Sequence, residues 1–368
     1  MRVRSLNTPE EFERYVDFAE DVYRENPFWV PPDKHHLTKL LAGQAGFGPS
    51  LDLQPFWVEE GNKVLGTVVA LKDENYDRHW NEKMGHLLFF EALPDQPLAI
   101  DSLIREACDW LRARGCTAAR LSMMPGMQLP LTIDAYDTVP TTFHTFNPSY
   151  YHSYVKNSRF ATEVGAVQYQ IQFTPDLADR YEAMVRTASN NGVSLRTWDF
   201  ERLEAENETF TALANETFSA HFGFMPLPKE VMSGLTVDLK DFLIADFLAF
   251  AEVDGQAVGF VYSLPDLNQA LHPMRGKSLE DHFEEFQEHL NAIDHGALLI
   301  IGVKRDYRGR GINLALAAKS YLAMIEHGYK TASYTIVMDN NWPSRRTAEK
   351  LGGRVTRNFI VYRKELVG

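Results

Sequence analysis

Ala297-Leu-Leu-Ile-Ile-Gly-Val303 runs straight into Lys304-Arg-Asp-Tyr-Arg-Gly-Arg-Gly-Ile-Asn313 and then into Leu314-Ala-Leu-Ala-Ala-Lys-Ser-Tyr-Leu322. The first run is short, apolar and of strand length, and the last carries apolar residues at helical spacing. Between them lies a tight basic loop: four of the seven residues from Lys304 to Arg310 are Lys or Arg, in a chain of formal net charge −13. Gly309 and Gly311 allow positive φ and close approach of the backbone to a ligand, so successive N–H groups can converge where the helix begins. The helix N-terminus adds unsatisfied donors and a partial positive charge. Such a loop suits a phosphate.

Two nucleotide signatures fail here. A Rossmann fingerprint needs a third glycine where Leu314 stands, and a Walker loop needs Gly-Lys-Ser/Thr. Arg308-Gly309-Arg310-Gly311-Ile312-Asn313 instead resembles the acyl-CoA signature of the GNAT acetyltransferase superfamily, Gln/Arg-x-x-Gly-x-Gly/Ala, departing from it at Asn313. The other reading is a plain basic turn. Downstream, residues 331–338 are rich in β-branched side chains and follow Gly328, a helix stop. Residues 341–353 then resemble a second GNAT motif, with Asn341, Lys350 and Gly352 in register. Asn341 or Ser344 can cap that helix. The family's tyrosine, often its general acid, falls on Ala348, and its phenylalanine falls on Gly353.

With 368 residues, 45% of them hydrophobic, the chain has a natural length for two domains with cores of their own. Its acidic balance argues against a nucleic-acid partner. Cys108 and Cys116 are the only cysteines, without zinc-type spacing, and read as reduced structural thiols. The sequence shows neither a signal core nor an apolar run of the ~20 residues a membrane helix needs. The expectation is a cytoplasmic protein without a transmembrane segment.

In chain order, residues 3–6 read as a strand. Thr8-Pro9-Glu10-Glu11 is a helix start with Thr8 at N-cap, Pro9 at N1 and Glu11 closing a capping box. The apolar connector 27–32 reads as a plug over a domain edge. Residues 56–59 and 63–71 form a hairpin, 86–91 a further strand and 98–114 a helix. The link Ala92-Leu-Pro-Asp-Gln-Pro97 has no glycine or arginine, and its prolines lack N–H groups, so a second copy of the strand-loop-helix here has no phosphate cradle. Phe143, His144, Phe146, Tyr150, Tyr151, His152 and Tyr154 read as packing between lobes, the histidines as hydrogen-bonded packing residues. In the second half come a strand at 193–198, a helix at 199–218 broken at 221–228 and resumed at 229–240, a hairpin at 248–264, an acidic amphipathic helix at 279–290 and strands at 354–366. The predicted fold class is α/β (α+β), with two GNAT-like mixed-sheet domains in tandem. They span 1–175, degenerate, and 193–368, acyl-CoA-binding, joined by a bridging helix at 176–192.

The resemblance implies an N-acyltransferase that uses acetyl-CoA or a longer acyl-CoA as co-substrate, with no metal. Its acceptor would be a small-molecule amine. The segments 26–32, 147–151 and 264–268 resemble a bacterial group, some of whose members are linked with N-acylation of long-chain amino-alcohol bases, which hints at an amphipathic acceptor. The implied cofactor-binding residues are Ile301, Val303, Arg308, Gly309, Arg310, Gly311, Ile312, Asn313, Asn341 and Ser344. In this family two strands splay at the loop and the thioester lies in the gap. There the Val303 N–H matches the oxyanion donor, and Gly302 leaves room for the acyl group. Asp339 is the first candidate for base, a helix N-terminal acid being its other reading, and Tyr334 is a candidate to protonate the thiolate. Asp266 and Asn268, two apart in an extended segment, would point the same way; with Phe222 and Tyr262 they are candidates for the acceptor side. One rival is an inactive acyl-CoA sensor or scaffold, favoured by Ala348. Another is an aminoacyl-transferring relative, whose nucleic-acid carrier sits badly with the acidic balance.

Overall fold

Two strand-helix-strand crossovers, within residues 84–121 and 295–338, organise the protein in a computed structural model that describes residues 1–44, 51–124, 127–144, 146–226, 228, 236–237 and 239–366. The chain forms two compact units, Met1–Gly165 with Asn358–Gly368, and Ala166–Arg357.

In the first unit β1 (Arg2–Ser5) leads into α1 (Pro9–Tyr23). Its start has the expected capping box: the Glu11 N–H donates to Thr8 Oγ1 (3.3 Å) and the Thr8 N–H to Glu11 Oε2 (3.2 Å). There follow α2 (Lys34–Leu41), β2 (Leu51–Glu60), β3 (Lys63–Asp73), α3 (Glu74–Trp80), β4 (Met84–Ala92), α4 (Pro97–Ala113), β5 (Ala118–Leu121), β6 (Leu131–Thr132) and α5 (Tyr151–Asn157). β1 to β4 pair antiparallel in sequence order, and β4 pairs with β5 in parallel. A parallel pair needs a crossover, and α4 supplies it, burying Ile100, Leu103, Ile104 and Leu111 in the core shared with the strands. Trp29, in the connector read as a plug, stacks on Tyr23 at 4.9 Å. Cys108 and Cys116 are free and buried, and burial pushes each thiol up to about 11.

β7 (Ala161–Gln172) runs through the division at Gly165. The second unit continues with α6 (Pro175–Asn190), β8 (Ser194–Thr197), α7 (Leu203–Phe218), β9 (Ala249–Val253), β10 (Gln256–Pro265), α8 (Asn268–Leu271), α9 (Phe283–Asn291), β11 (His295–Val303), α10 (Ile312–Glu326), β12 (Thr331–Met338), α11 (Trp342–Lys350) and the start of β13 (Arg354–Glu365). The strand order is β8-β9-β10-β11-β12-β7, with β11 and β12 parallel and the other pairs antiparallel. One core holds Tyr181 of α6 with Leu316, Tyr321 and Met324 of α10. A separate one holds Phe210 of α7 and Phe286 of α9 with Phe250 and Phe260 of the sheet.

These units cut the chain elsewhere than the sequence-based division at 175 and 193. Residues 166–172 of β7 pair with β12, while residues 359–365 of β13 pair with β5 and β6. The chain crosses the division twice because each strand goes where its backbone donors and acceptors are met. The acidic helix is shorter than its pattern suggested, Phe283–Asn291, and most of the helix expected at 229–240 lies outside the described residues. Among the described residues no helix is long and apolar enough to cross a membrane, and no His, Cys, Asp and Glu cluster could hold a metal ion.

Candidate functional site

β11 and β12 pair only at their beginnings, from His295↔Thr331 to Leu298↔Tyr334. Past that point each keeps its outer neighbour but slips register, β11 against β10 between Leu298 and Ile300, and β12 against β7 between Tyr334 and Val337. Bulges bend a strand and end its pairing. The two strands therefore splay, with Leu299, Ile300, Ile301, Ile336 and Met338 half-buried along the unpaired stretch. The Lys304 N–H donates to the Val258 carbonyl on β10 (2.8 Å). Neighbouring N–H groups in a strand point to opposite edges, so the amides of Val303 and, two residues back, Ile301 face the edge that β12 has left. Gly302 does not make the room expected of it. A Cβ there would meet Thr217 Oγ1 at 2.6 Å and the Phe260 ring at 2.8 Å, so α7 fills that face and the glycine serves a close approach.

Gly309 and Gly311 stand at φ 80° and 78°, each in open space, and the turn around Gly309 and Arg310 is exposed. The first helical bond of α10 runs from the Ala315 N–H to the Gly311 carbonyl (3.0 Å), which leaves the amides of Ile312, Asn313 and Leu314 outside the ladder. The N-cap, Gly311, brings no side-chain bond to them. Asn313, the residue that departs from the motif, turns sideways: its Nδ2 donates to Thr347 Oγ1 on α11 (2.7 Å), so it does not fill the cradle. Positive dipole, free-standing donors and open space together fit a diphosphate.

Residues 197–353 match the acetyltransferase (GNAT) family. That stretch is the GNAT part of the chain. Over its whole length the chain is similar to a tandem GNAT protein from the clavulanic acid biosynthesis pathway, solved without AcCoA. That likeness has a TM-score of 0.58 at 12% identity and covers 100% of this chain and 99% of that one. A GCN5-related N-acetyltransferase from Sphaerobacter thermophilus gives 0.55 at 12% identity, covering 100% and 96%. In sequence the chain is 25% identical over 375 residues to the bacterial ceramide synthase of Caulobacter vibrioides (strain NA1000 / CB15N), covering 100% of this chain and 98% of that protein. The GNAT fold binds acyl-CoA as co-substrate.

Within the GNAT domain, the other residues singled out in the sequence fall as follows. Arg308 does not aim at the cradle: its Nε donates to the Val303 carbonyl (3.0 Å) and its Nη2 to the Thr217 carbonyl (3.2 Å), bracing loop, strand and α7. Arg310 is exposed over the Tyr307 ring at 5.0 Å. Tyr334, on the last rung of the parallel ladder, has its hydroxyl 3.0 Å from Ser344 Oγ, and Asn341 caps α11 by accepting the Ser344 N–H (3.3 Å). Ser344 and Ala348 share a face of α11, so the Tyr334 hydroxyl reaches the face on which the family's tyrosine would stand. Burial pushes that hydroxyl up to about 12, and it stays protonated at neutral pH.

Asp339 has a side chain 51% exposed and pairs with Arg345 at 3.5 Å, beside the N-cap of α11. That geometry is the helix N-terminal acid rather than a poised base. Asp266 and Asn268 are not an extended pair: the Asn268 N–H donates to Asp266 Oδ1 (3.2 Å) and α8 starts there. A short carboxylate reaching two residues on closes a turn in preference to extending the strand. They lie at the end of β11 where it begins, Pro265 opposite Gly296, away from Val303. Tyr262 is buried among Trp198 (5.7 Å) and Phe210 (5.3 Å); burial pushes its hydroxyl, bonded to Thr236, up to about 12. It is a core residue. Phe222 is half-buried in the segment that follows α7. Sequence reasoning alone misses His221, next to it: no motif marks it, and only the fold brings it toward Arg308.

Proposed function

We propose that the protein is an acyl-CoA-dependent N-acyltransferase whose acceptor is a long-chain amino alcohol. The observation that carries the reading is the open run of amides from Gly309 to Leu314 beside a strand gap into which the Val303 N–H points. In this reading the loop amides take the diphosphate, Ile301 and Val303 offer backbone groups along the gap, and Asn341 and Ser344 hold α11 beside it. The amine attacks the thioester carbon, and the Val303 N–H steadies the oxyanion, a contribution of about 3 to 4 kcal/mol for a preorganised donor. The C–S bond then breaks, and Tyr334, protonated at neutral pH, gives its proton to the thiolate as the new amide loses one. The acceptor class is supported by the relative in Caulobacter vibrioides, a ceramide synthase. The first unit is read as a copy that binds no acyl-CoA.

The test is mass spectrometry of ligands retained by the purified chain, with CoA release measured from palmitoyl-CoA and from acetyl-CoA in the presence of sphinganine. Retained long-chain amide or base with CoA release supports the reading. Release only with short polar amines overturns the acceptor class. A second reading, an acyl-CoA sensor or scaffold without turnover, rests on Ala348 standing in place of the family's tyrosine; amide formation with any amine removes it.

A further inference from the structure

We propose that His221 is the base that takes a proton from the acceptor's ammonium and frees its nitrogen to attack, an assignment that rests on the acyltransferase reading above. Its position follows from α7. Thr217, in the last turn of that helix, lies against Gly302, the neighbour of Val303, and its carbonyl accepts from Arg308 Nη2 (3.2 Å). Glu216 pairs with Lys304 at 3.1 Å. These contacts fix the end of α7 against the mouth of the gap, and His221 follows within one turn, its N–H on the Phe218 carbonyl (2.7 Å) and its ring 4.7 Å from the Phe218 ring. Nδ1 is buried, without a hydrogen bond among the described residues, on a ring that also feels the Phe218 backbone; Nε2 is the nitrogen this assignment gives to the substrate. Thr217 and Phe260 pack on the α7 side of the sheet, whereas Tyr334 belongs to the core that holds α10. Base and acid therefore lie on opposite faces, so that the amine enters from one side as the thiolate leaves toward the other.

A base must be neutral before it can accept a proton. Burial, and next the Arg308 guanidinium, hold the His221 imidazole below its ordinary range. Among the described residues, Arg308 is the charged group acting on the ring, and the pair Lys304 and Glu216 lies at the same end of α7. The ammonium gives one proton to Nε2, which passes it to water. The nitrogen lone pair then forms the C–N bond; as the C–S bond breaks, Tyr334 gives its proton to the sulfur, and the second amine proton passes through water, which restores the Tyr334 hydroxyl. With palmitoyl-CoA and sphinganine, H221Q should lower kcat about 100-fold with an unchanged KM for palmitoyl-CoA. It should also lose the fall in rate that the native chain shows as pH drops through the imidazole range, and imidazole should restore turnover to H221G. H221Q turning over within threefold of native at every pH, or H221G indifferent to imidazole, overturns the assignment while native turnover keeps the acyltransferase reading. A native chain that binds palmitoyl-CoA but releases no CoA overturns that reading, and this assignment with it.

Discussion

Ala92 in the first unit and Val303 in the second hold matching places. Each faces a glycine on the preceding strand, Gly66 or Gly259, and in each the next amide, of Leu93 or Lys304, donates to the residue before that glycine, Leu65 or Val258. Both parallel ladders stop early, at Leu87↔Leu121 and Leu298↔Tyr334. From there the two diverge. The Ala92 N–H donates to the Tyr151 hydroxyl (2.8 Å), the Ala92 carbonyl accepts from Tyr150 (2.7 Å), and the Gln96 N–H donates to Tyr154 (2.9 Å). Behind them Glu91 Oε2 accepts from Tyr23 (2.8 Å) and Tyr151 (2.6 Å). In the second unit, among the described residues, no tyrosine hydroxyl bonds the backbone of residues 303–314, and Gly309 and Gly311 stand in open space. A fold can supply the donors of a binding groove twice, and the chain's own hydroxyls decide which set a ligand meets.

The difference can be erased from the open side. Gly311→Val, at φ 78° in open space, forces a side chain where the backbone is left-handed and should weaken palmitoyl-CoA binding about a thousandfold, or about 4 kcal/mol, by titration calorimetry. Unchanged affinity would break the comparison. From the closed side, burial raises the Glu91 carboxyl from 4.5 to about 7. The folded chain then holds more protons than the unfolded one between those values, so this group's contribution is complete below 4.5 and is lost as pH rises through 7. Glu91→Gln, always neutral, should gain on native by about 3 kcal/mol between pH 4.5 and 8 in denaturant unfolding; a constant gap would mean that the carboxyl is not held neutral. Tyr151→Phe removes the partner of one buried amide and one buried carboxyl. It should cost about 2 kcal/mol of stability and leave palmitoyl-CoA affinity untouched; a change in affinity would mean that the tyrosine plug does not belong to the first unit alone.

The backbone of the glycine loop was legible because positive φ and helix starts are local: Gly309, Gly311 and the strand before them carry their geometry in neighbouring residues. The tyrosine plug was not. Tyr150, Tyr151 and Tyr154 read as an aromatic run expected between lobes, and their partners stand 58 to 61 residues upstream, where no periodicity links them. Arg308 misled for a related reason, since a guanidinium beside a phosphate loop and one that ties carbonyls together look the same in sequence. His221 and Tyr334 take their places from tertiary contacts, as do the strand partners of β7 and β13.

The path of β13 sets an order on biogenesis. Tyr362 and Leu366 belong to the core of the first unit, and residues 359–365 pair with its strands β5 and β6. Domains emerging from a ribosome usually settle in the order they are made. Here the sheet of the earlier-made half lacks its β13 partner until residues beyond 358 have been synthesised, so the lobe translated first cannot complete its sheet on its own stretch of chain.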